Sequence, residues 1–188
     1  MAKLLASILV CSFFSFDLVA QTIDTFLVSK REVKDFLASI KQQEIRKGLI
    51  WLSDQPYVLT EKDIFHYAAS ANILLTGQDK EFIKKQLDQV KNLSWEKSLI
   101  DSTIFISQDS ISSIFKIKDK EVAWEVFEKN YKTRFYKMSF PIFTKDMQYC
   151  FIQIDYFCGS HCGTYLVNIY KRQGNEWRLY KNVDYGES

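Results

Sequence analysis

Two strand-patterned runs, Gln148 to Phe157 and Thr164 to Lys171, are joined by Cys158-Gly159-Ser160-His161-Cys162-Gly163. No other stretch restricts the fold as much. If Cys158 and Cys162 are joined, the flanking runs must turn back on each other, because a disulfide needs its Cα atoms about 4.4–6.8 Å apart. The connection is then Gly159-Ser160-His161, a three-residue hairpin loop. The register follows from the bridge. Ile154 faces Leu166 and Cys150 faces Tyr170 on one side, while Asp155 faces Tyr165 and Gln153 faces Val167 on the other. Both sides carry apolar residues. Such a sheet is covered on one face and partly open on the other, with a cleft expected near Asp155, Gln153 and Tyr165.

Three chemistries compete for the loop. A structural bridge of Cys158 and Cys162 closes a small ring and constrains the unfolded chain by about 2 kcal/mol. A redox centre needs a thiolate of low pKa, which helix N-termini and nearby cations provide. A hairpin tip has no helix end, and His161 is the one nearby cation. A metal site would use Cys158, His161 and Cys162, but C-x-x-H-C crowds its ligands together, unlike the paired spacings of structural zinc sites. The bridge is the preferred reading, with no metal and no cofactor expected.

The N-terminus sets the compartment. Lys3 gives a basic start, Leu4 to Phe16 is uncharged and mostly apolar, Asp17 closes the run, and Ala20 offers a small residue before Gln21. This is the order of a secretory signal peptide over residues 1–20. The apolar run is too short for a membrane span, which takes roughly 18 or more residues. Cys11 follows Val10 where a lipoprotein would carry a small residue, so it is expected to leave with the signal. Residues 21–188 then keep Cys150, Cys158 and Cys162, enough for one bridge and one free thiol. Cys150 shares a sheet face with Ile152 and Ile154 and reads as a buried, inert thiol. The expected location is the periplasm or the outside of the cell.

Upstream of the hairpin the pattern is helical. Ser29 and Glu32 form a capping box before Val33, Phe36, Leu37 and Ile40, with Gly48 as a stop. Residues 49–59 read as short apolar runs around an Asp54-Gln55-Pro56 turn. Thr60 and Asp63 cap a helix whose apolar face is Ile64, Tyr67, Ala68, Ala71 and Leu75; after Gly77, Asp79 can start another, with Phe82, Ile83, Leu87 and Val90 inside. Thr103 to Ser107 reads as a short strand, followed by helical spacing at Ile111, Ile114 and Phe115. Asp119 can cap a helix facing inward with Val122, Ala123, Val126, Phe127 and Tyr131.

From Phe135 the period changes. Phe135 to Phe143, Gln148 to Phe157, Thr164 to Lys171 and Trp177 to Val183 are strand-like, with turns at Thr144-Lys145-Asp146 and Gln173-Gly174-Asn175. The expected fold is α+β in one domain over residues 21–188. N-terminal helices, about 29–131, would pack on a C-terminal four-stranded antiparallel β-meander, about 135–183.

Composition narrows the function. A net charge of +2 gives no electrostatic footprint for nucleic acid. Aromatic residues make up 15% of the chain and prolines number two, which argues against disorder. No later run can cross a bilayer, so stable membrane insertion after signal cleavage is not expected. No nucleophile elbow, phosphate loop, H-E-x-x-H or EF-hand pattern occurs. His66 and Asp63 can share a helix face, and a half-exposed helix pair accounts for them. Trp51, Trp95, Trp124 and Trp177 read as core anchors.

The order WEKSLIDS, SISSIFK, WEVFEKNY, SFPIFTKD, CGSHCG and NEWRLYKNV resembles a group of uncharacterised exported bacterial proteins. They share a C-G-x-x-C-G sheet segment followed by a K-x-G-x-W strand. The likeness covers roughly residues 79–183, at Cys158, Gly159, Cys162, Gly163 and Trp177. Gln173-Gly174-Asn175-Glu176-Trp177 fits the turn of that pattern only loosely. The resemblance implies export and a single α+β unit, and it carries no activity.

These readings together predict an exported, non-enzymatic protein that binds another protein or a small ligand beside its sheet, with His161, Asp155, Gln153 and Tyr165 as candidate ligand contacts. The alternatives are an enzyme using His161, Asp155 and Tyr165, or thiol or metal chemistry at Cys158, His161 and Cys162.

Overall fold

A computed structural model describes residues 27–44, 50–131 and 134–187. The expected signal peptide, Cys11 and the Gly48 helix stop lie outside the described residues.

Four of the five described helices occupy the segments with a 3.6-residue apolar period: α1 (Lys30–Glu44), α2 (Glu61–Ser70), α3 (Gly77–Val90) and α5 (Lys120–Tyr131). The fifth, α4, is the short Gln108–Ile114. Their starts are fixed by side chains that satisfy orphan amides. Thr60 and Asp63 form the expected reciprocal box. At α3 the cap is Thr76, and Asp79 is its partner three residues on rather than the cap itself. Ser29 accepts from the Glu32 amide at 3.2 Å, but the Glu32 carboxylate reaches across to Arg172 at 2.8 Å instead of closing a box. In α5 the inward residues are Ala123, Trp124 and Phe127, whereas Val122 is exposed. The Asp119 cap is found as expected, its Oδ1 accepting from the Glu121 and Val122 amides, but Trp124 rather than Val122 faces the core.

The sheet overturns the expected architecture. It is seven-stranded and mixed, in the order β2-β1-β3-β5-β6-β7 with β4 paired to β5. The strands are β1 (Ile50–Ser53), β2 (Thr103–Ile106), β3 (Phe135–Met138), β4 (Ile142–Phe143), β5 (Tyr149–Gly159), β6 (Cys162–Gln173) and β7 (Glu176–Glu187). A four-stranded antiparallel meander is therefore wrong. Strand β1 comes from the segment read only as short apolar runs around a turn, β2 coincides with the short strand expected at Thr103 to Ser107, and neither belongs to the expected meander; β1 pairs in parallel with both β2 and β3. The expected Phe135–Phe143 strand is split into β3 and β4. The physical reason is burial. Three of the four residues of β1 are buried, so no polar alternation marks it as a strand. Parallel pairing also needs a long crossover, here α2 and α3, which no local pattern announces.

Downstream, the register inferred from the bridge is found residue for residue: Cys150↔Tyr170, Gln153↔Val167, Ile154↔Leu166 and Asp155↔Tyr165. Because strand side chains alternate, Leu52, Tyr136, Met138, Ile154, Cys150 and Tyr170 share one face. Helix α1 packs there: Phe36 makes edge-on contacts with Tyr170 at 5.4 Å, Phe143 at 5.5 Å and Trp177 at 5.4 Å. The opposite face carries Phe135, Lys137, Asp155, Phe157 and Tyr165. Helices α4 and α5 cover only part of it, through an aromatic cluster in which Phe127 lies 5.0 Å and Trp124 6.1 Å from Phe135. What α4 and α5 leave uncovered becomes the candidate site.

Candidate functional site

Two recesses lie side by side on the partly covered face, and Phe157 lines both. The larger is a cleft of about 460 Å³. Helices α4 and α5 form one wall, the sheet residues Phe135, Lys137 and Phe157 the floor, and Gly159, Ser160 and Cys162 of the hairpin the far lip. Its depth comes from local packing. The Asp54 carboxylate, just after β1, accepts from the Gln108 amide at 2.8 Å and so supplies the cap that Ser107 does not give to α4. Ser53 Oγ donates to Gln108 Oε1 at 2.9 Å. These bonds hold the start of α4 against the end of β1. Phe115 then packs on Trp124 at 5.1 Å, and Phe135 stacks on Phe157 at 4.7 Å. The result is an interior lined by Phe115, Trp124, Phe135 and Phe157 together with Ile111 and Ile117, with Gln108, Ser112, Lys120, Lys137 and Ser160 as its polar groups.

Cys158 and Cys162 form the hairpin bridge, with Cα atoms 5.1 Å apart. The loop differs from expectation. Gly159 pairs with Cys162, leaving Ser160 and His161 as a two-residue turn, and the register shifts between Phe157 and Gly159. Cys158 is the extra residue of a bulge, so the bridge runs diagonally across the ladder rather than between opposed residues. The bulge lies on β5 between the Phe157↔Gly163 and Gly159↔Cys162 pairs, at the turn end of the ladder, which is why the register upstream is intact. Cys150 is fully buried, and that burial holds its thiol pKa well above the ordinary value.

The smaller recess, about 160 Å³, contains Asp155 and Tyr165. Gln153 Nε2 donates to Asp155 Oδ1 at 2.8 Å, and Lys137 is the residue opposite Asp155 on β3. Burial raises the pKa of Asp155, and the Gln153 amide and the Lys137 charge only partly offset it. The Tyr165 hydroxyl donates to Asp184 Oδ1 at 3.3 Å; the charge of Asp184, with some burial, raises the pKa of Tyr165. Gln153, Asp155 and Tyr165 are thus brought together as expected.

His161 is not brought to them. Its side chain is 81% exposed at the turn, and Nε2 lies 3.7 Å from Glu121 Oε1 on α5. It lines neither recess. His66 forms no hydrogen bond or ion pair with Asp63 among the described residues; Asp63 Oδ2 accepts instead from the Thr60 amide at 2.9 Å and from its hydroxyl at 2.7 Å. Among the described residues no group of three or more His, Cys, Asp or Glu side chains is arranged to hold a metal ion. No described helix is long and apolar enough to cross a membrane.

Sequence reasoning missed the larger cleft. Its lining comes from residues 108–124, 135–137 and 157–162, and nothing local ties these segments together. Trp124, read as a core anchor, is buried but also forms part of the cleft wall. Comparison with protein-family models, curated proteins and solved structures finds no match to this chain.

Proposed function

We propose that the protein is exported and acts without catalysis, holding a small ligand in the cleft between α4, α5 and the bridged hairpin. The cleft itself carries this reading. At about 460 Å³ it falls in the size range of small-molecule sites, and an interior of aromatic and aliphatic side chains with a few polar groups is the usual chemistry of such sites. Export is supported by the signal-like order of residues 1–20 and by a bridge of the kind that persists in oxidising compartments. The resemblance to exported proteins with a C-G-x-x-C-G hairpin points the same way. An enzyme built on His161, Asp155 and Tyr165 has less support, because His161 turns to Glu121 in solvent while the other two share the smaller recess.

The test uses N-phenyl-1-naphthylamine, an uncharged apolar probe that brightens when water is excluded. The probe is expected to bind the folded protein saturably and to quench Trp124. Ser112→Trp places a bulky side chain at an exposed position of the cleft wall and should abolish the signal without lowering the unfolding midpoint. Absence of saturable binding, or binding unchanged in Ser112→Trp, overturns the reading.

A further inference from the structure

We infer that the cleft selects a ligand carrying an acidic group on an apolar, ring-sized body; this rests on the ligand-binding reading above. The charge of the lining leads to it. Two lysines, Lys120 and Lys137, line the cleft, and no aspartate or glutamate does. Neither lysine forms an ion pair among the described residues. The acidic residues next to these lysines in the chain or across the ladder are engaged as follows. Asp119 accepts from the amides of Glu121 and Val122 at 2.9 and 3.2 Å. Glu121 is 74% exposed and faces His161. Asp155, opposite Lys137 in the ladder, takes the Gln153 amide and opens into the smaller recess.

Lys137 is the more telling of the two. It rises from β3 beside Phe135 and is only partly exposed; its cross-strand neighbour Asp155 feels its charge but closes no ion pair with it, and no carboxylate lines the cleft itself. A cation partly withdrawn from water is costly unless paired. Lys120 opens α5, the end of a helix where the macrodipole disfavours a cation, so helix stability does not explain its placement. A carboxylate or sulfonate held in the cleft would supply the counter-charge that its lining lacks. The attached rings would lie among Phe115, Trp124 and Phe157.

The experiment compares two probes with the same rings. 1-Anilinonaphthalene-8-sulfonate carries an acidic group, and N-phenyl-1-naphthylamine lacks it. Charge-assisted hydrogen bonds of ordinary strength predict that the sulfonate binds about tenfold tighter or better. Lys137→Gln should remove most of that preference, read as the ratio of the two affinities measured on the same variant. Lys137→Arg should keep it. Added salt should weaken only the sulfonate. Equal affinities for the two probes, or a Lys137→Gln loss shared equally by both, would overturn the acidic-ligand inference and leave the cleft as a binding site. Failure of both probes to bind would remove the binding reading and this inference with it.

Discussion

The ring of Tyr165 fills the space that a side chain at Gly186 would need. An ideal Cβ on Gly186 would fall 2.8 Å from Tyr165 Cζ and 3.0 Å from Cδ1, and nearer still to Cε1. The two residues pair across β6 and β7, and the Tyr165 hydroxyl continues to Asp184 at 3.3 Å. Tyr165 therefore lies over the glycine rather than standing out from the sheet, and this shapes the smaller recess. Gly186→Ala is expected to cost about 1 kcal/mol by overpacking. In a Tyr165→Ala background the same change should cost close to nothing. Urea unfolding of the four variants measures the coupling; additive effects would show that the ring yields freely.

Gln86 closes the edge at β4. It is buried on α3, with Nε2 donating to the Phe143 carbonyl at 2.7 Å and Oε1 accepting from the Phe143 amide at 3.0 Å. A side-chain amide thus stands in for a neighbouring strand and satisfies both backbone groups of Phe143. Gln86→Met keeps the volume and loses both bonds. Two unsatisfied buried groups predict a loss of about 2–4 kcal/mol. Hydrogen exchange at the Phe143 amide should quicken selectively. A stability change under about 0.5 kcal/mol would mean that water replaces the amide there.

The hairpin bridge and the buried thiol make a joint prediction. Alkylation of the chain 21–188 should label nothing in the native state, Cys150 alone after unfolding, and Cys158 and Cys162 only after reduction. The double change Cys158→Ser with Cys162→Ser should cost about 2 kcal/mol, as the entropy of so small a loop implies. A variant as stable as the parent would show that the turn and the register hold the hairpin without the bridge.

Asp155 gives a pH signature of definite sign. Its pKa is raised in the folded protein, first by burial, so the folded state holds a proton more firmly than the unfolded chain does. Stability from this group is then full below the ordinary aspartate value of about 3.9 and falls as pH rises toward the raised folded value. Asp155→Asn removes that fall. The urea midpoint of the variant should decline less than that of the parent from about pH 4 toward neutrality. Parallel profiles would place the titration on other groups.

The hairpin was the most legible part of the molecule. The spacing of Cys158 and Cys162 gave the strand register correctly to Cys150↔Tyr170, because one covalent closure leaves little freedom in an antiparallel ladder. The loop was misjudged by one residue, since a bulge at Cys158 leaves no mark in the side-chain pattern. Of the candidate contacts, Gln153, Asp155 and Tyr165 were placed together by that register, while His161 was not, because a two-residue turn projects it into solvent.

By itself the sequence determined what depends on neighbours along the chain. Threonine caps started α2 and α3 at Thr60 and Thr76, apolar periods chose Phe36, Ile64, Ile83 and Phe127 for the core, and alternation marked β5 and β6. Only the tertiary structure decided the mixed sheet and the cleft. Strand β1 is four residues long and pairs in parallel with Thr103–Ile106, across two helices. Lys137 and Lys120 meet the same cleft only because α5 folds back over β3. Those pairings are fixed by which buried surfaces fit once the chain is compact, and a short, doubly buried strand carries no polar rhythm by which to read them in advance.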